Sequence, residues 1–110
     1  MNTRVLFICS ANGDRSPTAE AIYKQYPGLE TRSTGIFKPD KTVYACLRWA
    51  NVIVAMEQHH AEYIRKHFAK ALAEKPLYTL DIPDDYLYMQ DVLIQFIHER
   101  MNAILAEILH

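Results

Sequence analysis

Two short runs, "RVLFICS" (4–10) and "NVIVAM" (51–56), stay apolar through their centres with no polar residue in every second place. A strand with one wet face alternates apolar and polar residues, so a continuous apolar run marks a strand covered on both faces. Segments with helical spacing follow each run. Ala19, Ile22, Tyr23 and Tyr26 fall at i, i+3, i+4 and i+7. Ser16 is placed to cap that helix, Pro17 suits its first position, and Pro27-Gly28 ends it. Val43, Cys46, Leu47 and Ala50 share a second helical face, and "EQHHAEYIRKHF" makes a third helix that packs Ala61, Ile64 and Phe68. From about Asp91 a long helix carries Leu93, Ile97, Met101, Ile104 and Ile108 on one stripe. "LETRS" (29–33) reads as a shorter edge strand and "LYTLD" (77–81) as the last strand, because Pro83 has no ladder donor. Strands alternating with helices specify an α/β fold, with a four-stranded parallel sheet between two helical layers.

At 110 residues the chain is expected to form a single domain over 1–110. A net charge of -1 gives no electrostatic footprint for nucleic acid or an anionic membrane, and neither partner is expected. No apolar stretch reaches the ~18 residues that a membrane span requires, and the first residues do not form a signal peptide. The two cysteines, Cys9 and Cys46, are therefore expected as free thiols in a reducing cytoplasm.

Ligands of parallel sheets bind outside the carboxyl ends of the strands, where Cys9, Met56 and Asp81 all fall. A strand–loop–helix unit gathers backbone N–H groups and the positive end of a helix dipole at one point, which suits an anion. A thiol at the base of such a loop ionises readily. Arg15, at the loop's end, carries a planar fork that matches two phosphate oxygens, and Gly13 lets the amides turn inward. Thiolate, amides and arginine together describe phosphoryl transfer through a cysteinyl-phosphate.

The stretch "VLFICSANGDRSPTAEAI" resembles the signature of the low-molecular-weight protein tyrosine phosphatases: Cys, five residues, Arg, then Ser or Thr. "DIPDDY" (81–86) is similar to that family's acid-bearing segment, and "TRSTGIF" and "ANVIVAMEQHH" are similar to its second and third strands and the residues after each. The pieces occur in family order over most of the chain, which is nearest to short bacterial members. The resemblance implies the phosphatase-like α/β/α sandwich and a protein tyrosine phosphatase that needs no cofactor and no metal. It implies Cys9 as nucleophile, Arg15 as phosphate clamp and Asp84 as general acid, with Asp81 and Asp85 as adjacent competitors. Ser10, Ala11, Asn12, Gly13, Asp14, Arg15 and Ser16 would bind the phosphate; Asn12 would brace the loop and Ser16 donate to the Cys9 thiolate. The implied substrate is a phosphotyrosine protein or a small aryl phosphate; oligomeric state is not read.

Several residues have plainer roles. Cys46 is expected to pack in the core. His59 and His60 are expected to point to different faces of their helix, with no metal between them. Tyr86 and Tyr88 either wall the substrate or simply pack. Two departures from the family matter. Asp14 stands where many relatives carry a second, protective cysteine, and a carboxylate there must face outward or oppose the phosphate. The stretch from Gly35 to Thr42 is short, which makes a shallower pocket. Two other readings remain: a catalytically weak oxyanion- or phosphate-binding regulatory module, and a thiol-dependent arsenate reductase in which Cys46 serves as the relay.

Overall fold

The computed structural model describes residues 2–109. The chain runs β1 (Thr3–Cys9), α1 (Arg15–Tyr23), β2 (Leu29–Gly35), α2 (Asp40–Trp49), β3 (Val52–Ala55), α3 (Gln58–His67), α4 (Ala69–Leu72), β4 (Leu77–Thr79) and α5 (Asp91–Ile108). All pairings are parallel, in the order β2-β1-β3-β4. The fold is the expected α/β arrangement with a four-stranded parallel sheet.

β1 explains why its sequence does not alternate. Val5, Phe7 and Cys9 face a cluster with Ala19, Tyr23, Leu93, Ile97 and Met101, from α1 and α5. Leu6 and Ile8 face the other way, onto Val43, Leu47, Ile64 and Leu72 from α2, α3 and α4. Both faces of β1 are therefore dry. Burying one such Leu or Phe side chain contributes about 1.5–3 kcal/mol, and the central strand does so in two directions.

Element ends depart from the sequence pattern where other bonds compete. α1 begins at Arg15 and stops at Tyr23, so Ser16 is not its cap and Tyr26 lies outside it, exposed. β2 is an edge strand, as expected, but runs two residues further to Gly35. The third helix breaks before Phe68, which caps α3 and starts the short α4. β4 ends at Thr79, because Asp81 takes a left-handed φ of 56°. The pairing still continues into the loop through Leu80 N–H to the Ala55 carbonyl at 3.0 Å.

β1 leads to β2 on one side, and the chain then crosses back over β1 to reach β3. Adjacent β1 and β3 thus send their outgoing loops to opposite faces, and the crevice at such a switch point is where parallel sheets bind ligands. Residues 10–14 leave β1 there, and Met56 and Glu57 leave β3.

Candidate active site

Cys9 ends β1 and is 2% exposed. Its Sγ lies 2.9 Å from Ser16 Oγ, which also reaches Asn12 Oδ1 at 2.9 Å and the Thr34 carbonyl at 3.2 Å. Proton counting gives this triangle direction. Ser16 has one hydroxyl proton; Asn12 Oδ1 and Thr34 O can only accept. A Cys9 thiol can donate to Ser16 and leave its proton to those acceptors. A thiolate instead draws the proton to sulfur. Ser16 is therefore recruited by the cysteine and the loop, which is why it does not cap α1.

The loop after Cys9 is shaped from the β2 side. Ile36 and Phe37 N–H groups donate to the Cys9 and Ser10 carbonyls, both at 3.0 Å. Asn12 takes a left-handed φ of 61°, which asparagine tolerates better than most residues. Gly35 has no alternative: a Cβ there would collide with the Ser10 carbonyl oxygen and lie 2.7 Å from Asn12 N and 2.9 Å from Ala11 C. Among the described residues, the N–H groups of residues 10–14 donate to no backbone acceptor. Unpaired amides followed directly by a helix N-terminus form an anion cradle. Gly13 has nothing within 4 Å of where a Cβ would sit, so the middle of the loop is open.

Arg15 is 1% exposed, and its hydrogen bonds all leave one nitrogen. Its Nη1 donates to Glu57 Oε2 at 2.5 Å and to the Ile82 carbonyl at 2.8 Å. No hydrogen bond among the described residues leaves its Nε or Nη2. That edge of the fork, the one with two parallel donors, is free for a bidentate oxyanion. It faces Asp84, whose Oδ1 lies 3.7 Å from Nε and whose side chain is 66% exposed. Of the three carboxylates considered for the acid, Asp84 alone pairs with Arg15. Asp81 and Asp85 are exposed, and no ion pair involves either among the described residues.

Sequence reasoning missed Glu57 and His60. Burial pushes the Glu57 carboxyl up, but bonds from Arg15 and His59 outweigh it and leave the group lowered. His60 is fully buried at the start of α3. Glu57 N–H donates to its Nδ1 at 3.0 Å, so Nδ1 must be the bare nitrogen. The ring proton is then on Nε2, which donates to Ser10 Oγ at 2.9 Å. His60 thereby ties the residues after β3 to Ser10, the first residue of the loop that follows β1. Burial, reinforced by neighbouring His59 and Arg15, lowers its pKa from 6.5 to about 4, and Glu57 opposes this only in part.

The two histidines do not diverge as adjacent helical residues should. Their ring centroids are 4.0 Å apart, because both lie in the first turn and reach back to Glu57. Atoms of Glu57, His59 and His60 lie within 4.8 Å of one another. Both His60 nitrogens are already committed, however, and a metal would have to break one of those bonds. Cys46 is half-buried against the α2-side core, and its thiol is pushed up chiefly by burial. Tyr86 packs edge-on against Phe96 with centroids 5.7 Å apart, while Tyr88 stays exposed. Asp14 faces away from the cradle: its Oδ1 accepts the Tyr88 N–H at 2.8 Å.

The fold and this cradle define a class of protein that handles a phosphate-like anion beside a buried cysteine. The chain belongs to the low-molecular-weight phosphatase family. It is 31% identical to the protein-arginine-phosphatase of Geobacillus stearothermophilus over 64% of this chain, and spans about 66% of that protein's length. The solved structure of the YwlE arginine phosphatase from the same organism superposes with a TM-score of 0.68 at 25% identity, covering 98% of each chain. Vibrio vulnificus Wzb in complex with benzylphosphonate superposes with a TM-score of 0.75 at 20% identity, over 98% of this chain and 100% of that one. No family model matches the sequence.

Proposed function

We propose that this chain is a cysteine-dependent phosphatase for phosphorylated protein side chains, with phosphotyrosine or another aryl phosphate as its first substrate class. One observation carries the reading. Cys9 Sγ sits at the base of a loop of unpaired amides, Arg15 follows that loop directly, and its Nε lies 3.7 Å from the carboxylate of Asp84. On this reading the Cys9 thiolate attacks phosphorus and the bond to the leaving oxygen breaks. Asp84 delivers a proton to that oxygen, and Arg15 and the loop amides hold the equatorial oxygens. Water then attacks the cysteinyl-phosphate, Asp84 takes its proton, and the sulfur leaves as thiolate. Ser16 stabilises the attacking thiolate and supports the departure of sulfur in the second step by turning its hydroxyl to it.

A second substrate class, phosphoarginine, is favoured by the name of the curated relative and by charge. An open groove of about 320 Å³ is lined by Glu57, Gln58, His59, Asp81 and Pro83. Two carboxylates in that lining suit a cationic guanidinium. The arsenate-reductase reading is weakened by Cys46, whose half-buried thiol resists ionisation.

The test is turnover of nitrophenyl phosphate and phosphoarginine in the presence of a chelator, with rapid acid quench of labelled substrate. The expected result is competitive inhibition by vanadate and label trapped on Cys9, with Cys9→Ser inactive yet folded. Label on no residue, or a serine variant that keeps most of its rate, overturns the covalent mechanism. The ratio of the two substrates' kcat/KM decides between the substrate classes.

A further inference from the structure

We infer that Asp14 is a positioning residue that latches the segment bearing Asp84 over the phosphate loop; the inference rests on the acid role proposed for Asp84. Residues 83–87 are exposed apart from Tyr86, so burial holds little of the segment in place. It is fixed at its two ends. On entry, Ile82 is fully buried, its N–H donates to the Met56 carbonyl at 2.8 Å, and its carbonyl accepts from Arg15. Arg100 Nη1 donates to the Leu80 and Asp81 carbonyls at 3.0 and 2.7 Å, which holds the left-handed turn at Asp81.

At the exit, Tyr86 packs on Phe96 of α5 and Leu87 N–H donates to Gln90 Oε1 at 3.0 Å, while the backbone of Tyr88 and Met89 is held by the start of α1. Tyr88 N–H donates to Asp14 Oδ1 at 2.8 Å, and Met89 N–H donates to Thr18 Oγ1 at 2.9 Å. Thr18 in turn donates its hydroxyl proton to the Asp14 carbonyl at 2.7 Å, so its oxygen is oriented to accept from Met89. Met89 itself has a φ of 60°, at the third position of a turn closed by Gln90 N–H to the Leu87 carbonyl at 3.0 Å, and its bond to Thr18 helps to hold that unfavourable conformation. Asp14 thus touches the exit of this segment, directly through its side chain and indirectly through Thr18. A carboxylate accepting a backbone N–H is a charge-assisted bond, stronger than a neutral one. A cysteine in this position has no comparable acceptor. The residue that fits the phosphate-binding role worst instead sets the height of Asp84 above the sulfur.

Asp14→Ala, Asp14→Asn and Asp84→Asn test this, alone and combined, on phenyl phosphate and on nitrophenyl phosphate. A poor leaving group needs the acid and an activated one scarcely does. Loss of the latch should slow phenyl phosphate turnover about tenfold, the equivalent of one charge-assisted bond, with less than about threefold change on nitrophenyl phosphate. Asp14→Asn keeps an acceptor oxygen and should recover most of the rate. Added to Asp84→Asn, Asp14→Ala should cost nothing further. Hydrogen exchange at the Tyr88 amide gives a reading free of turnover: protection should fall in Asp14→Ala and persist in Asp14→Asn. Equal losses on both substrates, additivity with Asp84→Asn, or unchanged Tyr88 exchange overturns the latch. If Asp84→Asn itself shows no leaving-group dependence, the acid role fails instead, and Tyr88 exchange still decides whether the latch exists.

Discussion

His60 makes the stability of this fold sensitive to mild acid. It is buried and neutral, with one nitrogen accepting from Glu57 N–H and the other donating to Ser10. A further proton has no place without breaking the first bond. The folded-state pKa of about 4 lies below the ordinary 6.5. Between those values the unfolded chain binds a proton that the folded chain refuses, so stability rises with pH through this window and falls as pH drops. The full shift corresponds to roughly 3 kcal/mol, of which about 2 kcal/mol is lost between pH 6.5 and 5. Glu57 is lowered from its ordinary 4.5, so it adds to the slope in the same direction, mostly at the acid end of the window and below it.

The informative variant is His60→Asn. Its Oδ1 can still accept from Glu57 N–H, but it cannot reach Ser10 and does not titrate. At pH 7.5 it should be about 2 kcal/mol less stable, from one lost hydrogen bond and a small cavity. The wild-type protein loses its advantage on acidification, and the two should reach similar stability near pH 5. Urea unfolding followed by the fluorescence of Trp49, the single tryptophan, at pH 7.5, 6.5, 5.5 and 5.0 measures both curves. Groups common to the two proteins cancel in the difference. A gap that stays constant from pH 7.5 to 5 would refute the neutral, buried assignment of His60.

Two other substitutions probe the cradle. Gly35→Ala forces the backbone at Ser10, Ala11 and Asn12 to shift, and should lower kcat/KM by about 10²-fold with the helix content unchanged in circular dichroism; near-wild-type activity means that the loop adapts freely. Glu57→Gln keeps an acceptor for Arg15 Nη1 while removing a negative charge beside the anion site, so vanadate should bind about threefold tighter, whereas Glu57→Ala should bind it more weakly than wild type; weaker binding in both means that the charge itself holds Arg15.

The sheet was legible because burial on both faces leaves a mark that chance seldom makes: β1 and β3 read as unbroken apolar runs. Element ends were not legible, since they depend on bonds made across the fold. Ser16 looks like a helix cap until Cys9 and Asn12 are brought to its hydroxyl. The last strand looks five residues long until Arg100, nineteen positions beyond Asp81, takes the carbonyls of the turn. Cys9 and Arg15 were read as types of residue at a spacing and Asp84 from the resemblance of "DIPDDY"; the fold pairs Asp84 with Arg15. Glu57 was within reach of the same logic. A charged residue directly after a buried strand, at the carboxyl edge and next to the switch point, belongs on any shortlist. His60 was set aside by a rule for helix interiors that does not hold in a first turn.

The arrangement around Arg15 explains why the acid segment needs anchors at all. The guanidinium carries carboxylates on two sides, Glu57 firmly at Nη1 and Asp84 loosely at 3.7 Å from Nε. On the proposed reading a phosphate dianion takes the Nε–Nη2 edge, and Asp84 must give up its cation. The same event places two negative charges beside its carboxylate, and like charges repel. Substrate binding would therefore release Asp84 from Arg15. A segment held mainly by the Arg15–Asp84 contact would drift away at that moment. One held at Ile82 and at Tyr88 lets the carboxyl turn toward the leaving group while its backbone stays in place, and only the second of those anchors depends on Asp14.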